Sequence, residues 1–538
     1  MKALNNKNGK MIKRMLILLA VLFVIVFILI KAEDFIKEQT NDKISLVINN
    51  TNVTERLKNE LKIDDGIIYV SMDDMKNFFD KYIYVEDETN EVITTYEDKI
   101  ASIGFESNKL TLNGSTKKTG AHAIKENDTT YLPISEMKDV YDIEINNIAE
   151  TKVITIDSTD REQLKAQTKA DISVKSKKEG FSRTVDKISK GDSVIVVKNN
   201  NEVSEKGWTK IRTQNGKLGY VKTSKLEEIT TIREAKEKTK QISGKVDMFW
   251  DYYSQYVKAP DRTGQVVEGV NVVSPSFFYL EKETGTLKEN VGDAGIAYIN
   301  WAHSNGYKVW AMLSNAEAGI KVSSTILNSY TKRQQLIQSI VEKCAQYDID
   351  GINVDFENMY EADKDKYSRF IIELTPRMEE MGIVTSVDVT APDGDPNWSL
   401  CFDRHVLGDV ADYLIFMGYD QYGTSSSKPG TTAGLNWVET SLKKIIDYDE
   451  VDTDKIILGM PLYTRQWTIT QDGTIKDRST VSMMNIKIPN NVEKQWDDTL
   501  KQYYIEYASG KNTIKMWIED GASIKEKVAL VTKYNLGG

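Results

Sequence analysis

The 538-residue sequence predicts a multidomain chain ending in a (β/α)8 barrel of the TIM type, with a small β-barrel, an α+β repeat domain and a single N-terminal transmembrane helix before it. Three observations carry this. After residue 244, seven apolar, β-rich runs alternate with helical stretches. Short strands punctuated by turn residues fill 168–228. Ahead of them, one segment repeats itself at an offset of 62 residues.

Composition narrows the function classes. Hydrophobic residues make up 40% and charged residues 28%, the balance of a globular chain. A net charge of -10 without a basic stripe argues against nucleic acid as a partner. Two cysteines, Cys344 and Cys401, give no disulfide framework and read as structural thiols. Three histidines far apart in sequence, His122, His303 and His405, supply neither zinc-ligand spacing nor a triad, so no metal and no cofactor is called for.

The elements follow in order. Residues 15–30, "MLILLAVLFVIVFILI", are uninterrupted apolar residues preceded by Lys2, Lys7, Lys10, Lys13 and Arg14. That asymmetry predicts a tail and membrane anchor over 1–32, with the lipid bilayer as a partner, the N-terminus cytoplasmic and the remaining chain extracytoplasmic. Over 43–158, "YVSMDDMKNFFD" aligns with "YLPISEMKDVYD", and "EVITTY" with "KVITID". Each copy reads as strand, short helix, strand, so two copies together bury a core that neither buries alone, and a stalk role is expected. Residues 229–243 are polar and charged and read as a linker. From 244 to 538 the β-α-β rhythm is that of a parallel sheet buried on both faces, and no glycine-rich phosphate loop follows the first strand.

The fourth run of this last domain, "DGINVDFEN", places Asp350, Asp355 and Glu357 within eight residues. In a strand, alternate side chains share a face, so Asn353, Asp355 and Glu357 are co-facial while Ile352, Val354 and Phe356 point the other way. The polar file therefore lines the barrel interior and climbs toward the C-terminal rim, where barrel enzymes hold their chemistry. Unpaired buried carboxylates are costly, which marks the file as functional. Trp250, Phe277, Tyr463 and Trp467 lie near strand ends and are candidates for stacking on a ring-shaped ligand, Trp467 foremost.

Resemblances extend this reading. The 43–158 repeat resembles the N-terminal domain of copper amine oxidases, and no copper is implied. "GWTKIR" followed by "NGKLGYV" resembles the bacterial SH3-like barrel, which implies a wall-peptide binder or a spacer. From residue 244 onward the chain resembles glycoside hydrolase family 18, in its spore-cortex and cell-wall branch. The resemblance rests on "VNVVSPSFF", "WAHSNGYKVWAMLSN", the D-x-x-D-x-D-x-E motif and "MGYD". It implies a glycosidase cleaving β-1,4 links after N-acetylglucosamine, with peptidoglycan favoured over chitin.

By the same resemblance Glu357 is the general acid, and the substrate's 2-acetamido oxygen attacks the anomeric carbon. Asp355 orients the acetamido group, Tyr419 bonds its oxygen, and Met417, Asp420 and Asp350 support the subsite. Asn353 departs from the acid of the full motif; an amide donates at any pH, implying a more firmly ionised Asp355. The family also continues into an eighth strand where this sequence reaches "KYNLGG", so a barrel open between two unpaired edges, or a truncated one, is expected. The alternative reading is a non-catalytic carbohydrate-binding or structural envelope protein built on a degenerate barrel.

Overall fold

The computed structural model describes residues 15–16, 18–19, 21–25, 43–236, 241–254 and 256–538. The membrane anchor is corrected first. Among the described residues no helix is long and apolar enough to cross a membrane. The transmembrane helix, the bilayer contact and the single-pass location therefore have no support in this structure. The other residues of the expected tail and anchor, 1–14, 17, 20 and 26–32, lie outside the described residues.

The chain divides into two compact units, residues 1–69 with 137–237 and residues 70–136 with 238–538. In the first unit, the parallel pair Ser45–Ile48 and Val153–Ser158 is flanked by Ile143–Ile148. A separate seven-stranded sheet spans Gln163 to Arg233 around Leu164, Val174, Val194, Val196, Ile211 and Val221. Its edge strand, Thr230–Arg233, lies inside the segment expected to be a linker and pairs with Gln163–Lys165. The β-branched "TTI" outweighs the polar composition there. Asp157 and Arg212, both buried, form a bidentate pair at 2.7 and 2.5 Å.

In the second unit, five strands between Tyr84 and Lys118 form an antiparallel meander. The barrel strands are β1 (Met248–Asp251), β2 (Val272–Pro275), β3 (Lys308–Ser314), β4 (Gly351–Asp355), β5 (Val384–Val389), β6 (Tyr413–Met417) and β7 (Ile456–Gly459). They pair in that order and all in parallel. Helices α1 (Gly292–Ser304), α2 (Tyr330–Tyr347) and α3 (Lys364–Glu379) follow the second, third and fourth strands. After β7 the expected seventh run divides. Tyr463–Ile469 leaves the barrel and enters a five-stranded antiparallel sheet that also holds Asn512–Ile518, with Trp517 in it.

The two edges expected to lie open meet through the backbone of Gly537 and Gly538. Gly537 donates to Ile456 of β7 at 2.8 Å and accepts from Val246, just before β1, at 2.9 Å, while Gly538 accepts from Leu458 at 3.0 Å.

Inside the barrel, Val272, Trp310, Val384, Ile415 and Ile457 make an apolar floor. Trp310 is fully buried, donates to Gln241 at 3.1 Å and lies against Tyr413. This explains Gly351 in the acidic motif, because any Cβ there would fall within 2.8 Å of the Trp310 Nε1 and closer still to its ring carbons. Above the floor the interior turns polar.

Candidate active site

The alternation of β4 comes out as its spacing predicts. Ile352, Val354 and Phe356 are fully buried in the layer between strands and helices, Phe356 stacking on Tyr367 and Phe370 of α3. Asn353, Asp355 and Glu357 point inward. The interior is thus graded, from tryptophan and aliphatic side chains at the floor, through an amide, to carboxyls at the C-terminal rim.

Asn353 is fully buried and uses every hydrogen-bonding position it has. Its carbonyl accepts from Trp250 Nε1 at 2.8 Å and Ser274 Oγ at 3.2 Å. Its amide donates to Ser386 Oγ at 3.2 Å and to Asp388 Oδ1 at 2.7 Å. No amide hydrogen is left for Asp355, so the expected firmer ionisation of Asp355 through Asn353 has no structural basis. Instead, burial pushes the Asp355 carboxyl up to about 6. Its Oδ1 is buried with no hydrogen-bond partner among the described residues.

Glu357 sits just past the end of β4, and Asn315, beyond β3, holds its backbone from both sides. The Glu357 N–H donates to Asn315 Oδ1 at 2.8 Å, and Asn315 Nδ2 donates to the Glu357 carbonyl at 2.9 Å. Asn358 then turns the chain at φ 50°, a conformation asparagine tolerates better than most residues. Burial first, then the charges of Asp355 and Asp420, raise the Glu357 carboxyl to about 8. At neutral pH the pair is therefore split, Glu357 mostly protonated and Asp355 mostly ionised, the division that acid catalysis beside a charged stabiliser requires.

Tyr419 follows β6 on the inward face shared with Ile415 and the buried Met417. Its ring meets Trp250 edge-on at 6.2 Å and Tyr463 at 6.3 Å. Burial, then the charges of Asp388 and Asp355, hold its phenol well above the ordinary range. Asp420 is exposed at the rim at φ 58°, and accepts from Tyr463 Oη at 2.7 Å and Arg465 Nη2 at 2.9 Å.

Glu357, Asp355, Asn353, Trp250, Met417, Tyr419, Asp420 and Tyr463 thus converge on the rim. The remaining residues singled out in the sequence do not. Asp350 lies at the other end of β4, roughly 16 Å down the strand, where its carboxylate accepts from Lys308 at 2.7 Å, the Val309 N–H at 2.9 Å and His303 at 2.8 Å. Phe277 is fully buried between Tyr253 and Tyr298. Trp467 is also fully buried, its indole N–H spent on the Gly430 carbonyl at 2.8 Å, so it offers no face to a sugar.

Two residues were not anticipated. Asn315 ends an apolar strand with a polar group at the rim. Asp388 is a lone acid inside "IVTSVDVTAP", 1% exposed and raised well above the carboxylate range by burial and then by the charge of Asp355. A charged residue inside an otherwise apolar central strand was the available signal.

The family described as "Glycosyl hydrolases family 18" matches residues 245–538, more than half of the chain. The family described as "Copper amine oxidase N-terminal domain" matches residues 41–156. Among curated relatives, the uncharacterized glycosylase YvbX of Bacillus subtilis (strain 168) is 25% identical over 285 residues, covering 50% of this chain and 79% of that protein. The cortical fragment-lytic enzyme of the same organism is 27% identical over 235 residues, or 42% of this chain and 53% of that protein. Its counterpart in Bacillus anthracis is 25% identical over 290 residues, or 51% and 66%.

Proposed function

The chain belongs to glycosyl hydrolase family 18 and is a glycosidase, and on that premise we propose that it cleaves β-1,4 links after N-acetylglucosamine in peptidoglycan. The observation that carries the proposal is the placement of Glu357 and Asp355 two residues apart on the inward face at the end of β4, with Tyr419 beside Trp250 and Tyr463 at the same rim. Glu357 protonates the glycosidic oxygen as the bond to the anomeric carbon breaks. The substrate's 2-acetamido oxygen attacks that carbon from the other side, closing an oxazolinium ring, in place of a protein nucleophile. The Asp355 carboxylate accepts from the acetamido N–H and offsets the positive charge; Tyr419 donates to the acetamido oxygen. Water, deprotonated by the Glu357 carboxylate, then opens the ring with retention. Met417, Asp420 and Trp250 shape the subsite.

Peptidoglycan is favoured over chitin because the relatives at 25–27% identity include enzymes named for cortical fragment lysis. The β-sheet body over Gln163–Arg233, with its SH3-like "GWTKIR" and "NGKLGYV" segments, fits a role in holding wall peptides. The test incubates the protein with purified peptidoglycan and with N-acetylglucosamine oligomers, and identifies new ends by mass spectrometry. The proposal expects N-acetylglucosamine reducing ends that disappear in Glu357→Gln. Wall binding without new ends would favour a carbohydrate-binding protein on a degenerate barrel.

A further inference from the structure

Glu357 and Asp355 do not make up the whole carboxyl cluster. Val354 of β4 pairs with Val387 of β5, which sets Asp355 level with Asp388 on the adjoining strand, the two Cα atoms about 4.8 Å apart. Both side chains point inward, because Asn353, one step below, reaches both Ser386 and Asp388. The groups facing Asp388 are Asp355 and Glu357 of β4 and its neighbours, the Asn353 amide, the Trp250 indole, and the phenols of Tyr367 on α3 and Tyr419 beyond β6. Among the described residues no lysine, arginine or histidine forms an ion pair with any of the three carboxyls. Three adjacent acids, Asp388 fully buried and Asp355 and Glu357 half-buried, carry a high cost if all are charged without a cation, so protons are held within the cluster. One of the Asp388 oxygens already accepts the Asn353 amide. The Asp355 Oδ1 on the adjoining strand is buried and has no donor among the described residues.

We propose that Asp388 is a positioning residue that holds, across the sheet, the proton which an acid at position 353 would hold along the strand, and through it donates a hydrogen bond to the Asp355 carboxylate. The cluster then rests with a proton on Asp388, a negative charge on Asp355 and a proton on Glu357. The Asp388 O–H keeps Asp355 anionic and turned into the subsite, and no bond to the substrate is made by Asp388 itself. This inference rests on the glycosidase reading for its consequence in catalysis, but not for the protonation it assigns.

The experiment compares the wild-type protein with Asp388→Asn, Asp388→Val and the exchange Asn353→Asp/Asp388→Asn, each checked for a native thermal transition. An amide donates to a carboxylate more weakly than a carboxylic acid, and valine does not donate at all. The acid limb of kcat/KM should therefore rise in the order wild type, Asp388→Asn, Asp388→Val. In Asp388→Val, kcat should fall tenfold or more with KM nearly unchanged, and the exchange should bring the acid limb back toward wild type. Infrared spectra at pH 7 give a readout independent of turnover, in which Asp388→Asn should lose the carbonyl band of one protonated buried carboxylic acid. A folded Asp388→Asn with the wild-type acid limb, or with an unchanged infrared band, would overturn the inference. If the wild type cleaves no glycan, the glycosidase reading fails, and the infrared comparison alone still decides whether Asp388 carries the proton.

Discussion

Arg333 and Glu373 make the most heavily committed ion pair of the barrel's outer face, and removing one partner gives a quantitative test of how the 70–136 segment and the barrel are joined. Arg333, on α2, is 1% exposed and Glu373, on α3, is fully buried. Arg333 Nε and Nη2 donate to the two Glu373 oxygens at 3.0 and 2.9 Å, and Nη1 donates to the Leu327 carbonyl at 2.7 Å. Tyr84, from the antiparallel meander, donates to Glu373 at 2.7 Å, and Gln334 does so at 2.9 Å. Glu373→Ala removes four hydrogen bonds and leaves Arg333 with Glu86 as its carboxylate neighbour at 3.4 Å. Stranding a buried guanidinium in this way costs about 3–5 kcal/mol. Tyr84→Phe removes the bond to Glu373 and the one its oxygen accepts from Arg333 Nη2 at 3.2 Å, and costs about 1.5–3 kcal/mol. The double variant Arg333→Met/Glu373→Leu, which removes both charges, should lose less than Glu373→Ala alone. Urea unfolding followed by the barrel's aromatic signal supplies the midpoints. A loss below about 1 kcal/mol in Glu373→Ala, or a double variant showing the sum of its single losses, would refute the reasoning.

Three further outcomes follow from the same structure. Activity should be bell-shaped in pH, rising as Asp355 ionises near 6 and falling as Glu357 loses its proton near 8, which initial rates across pH 4–10 would check. Because the folded Glu357 carboxyl titrates above its unfolded value, its contribution to stability is full below about 4.5 and is lost as pH rises through about 8. Glu357→Gln should therefore stabilise the protein at pH 9 by ~1–2 kcal/mol after allowance for its partial exposure, read as a raised melting temperature, and change little at pH 4. Gly351→Ala should destabilise the barrel by about 2–3 kcal/mol through overpacking against Trp310, and Trp310→Leu in the same chain should recover part of that loss in urea titrations.

Much of the barrel was legible because its signals are periodic. Seven apolar runs became seven parallel strands, and the two-residue spacing of Asn353, Asp355 and Glu357 fixed which face they share. What escaped were features set by neighbours distant in sequence. Nothing within "DGINVDFEN" says that Asn353 spends its amide on Asp388 from another strand, or that Asp350 at the far end of β4 serves Lys308 and His303. Trp467 and Phe277 looked like sugar platforms because strand ends favour function, but burial decides exposure, and both are fully buried. The apolar run at 15–30 has the composition of an anchor, yet among the described residues no helix is long and apolar enough to cross a membrane. The five-stranded insertion after β7 was hidden because only Met460, Pro461 and Leu462 separate β7 from Tyr463–Ile469, so the two strands read as one run.

The measurement that bears most directly on the central claim is the anomeric form of the first product, followed by proton NMR during hydrolysis of an N-acetylglucosamine oligomer before mutarotation sets in. Attack by the substrate's own acetamido oxygen between Glu357 and Asp355 predicts the β-anomer, with no cleavage when that acetamido group is replaced by a free amine. Initial release of the α-anomer, or equal cleavage of the de-acetylated oligomer, would contradict it.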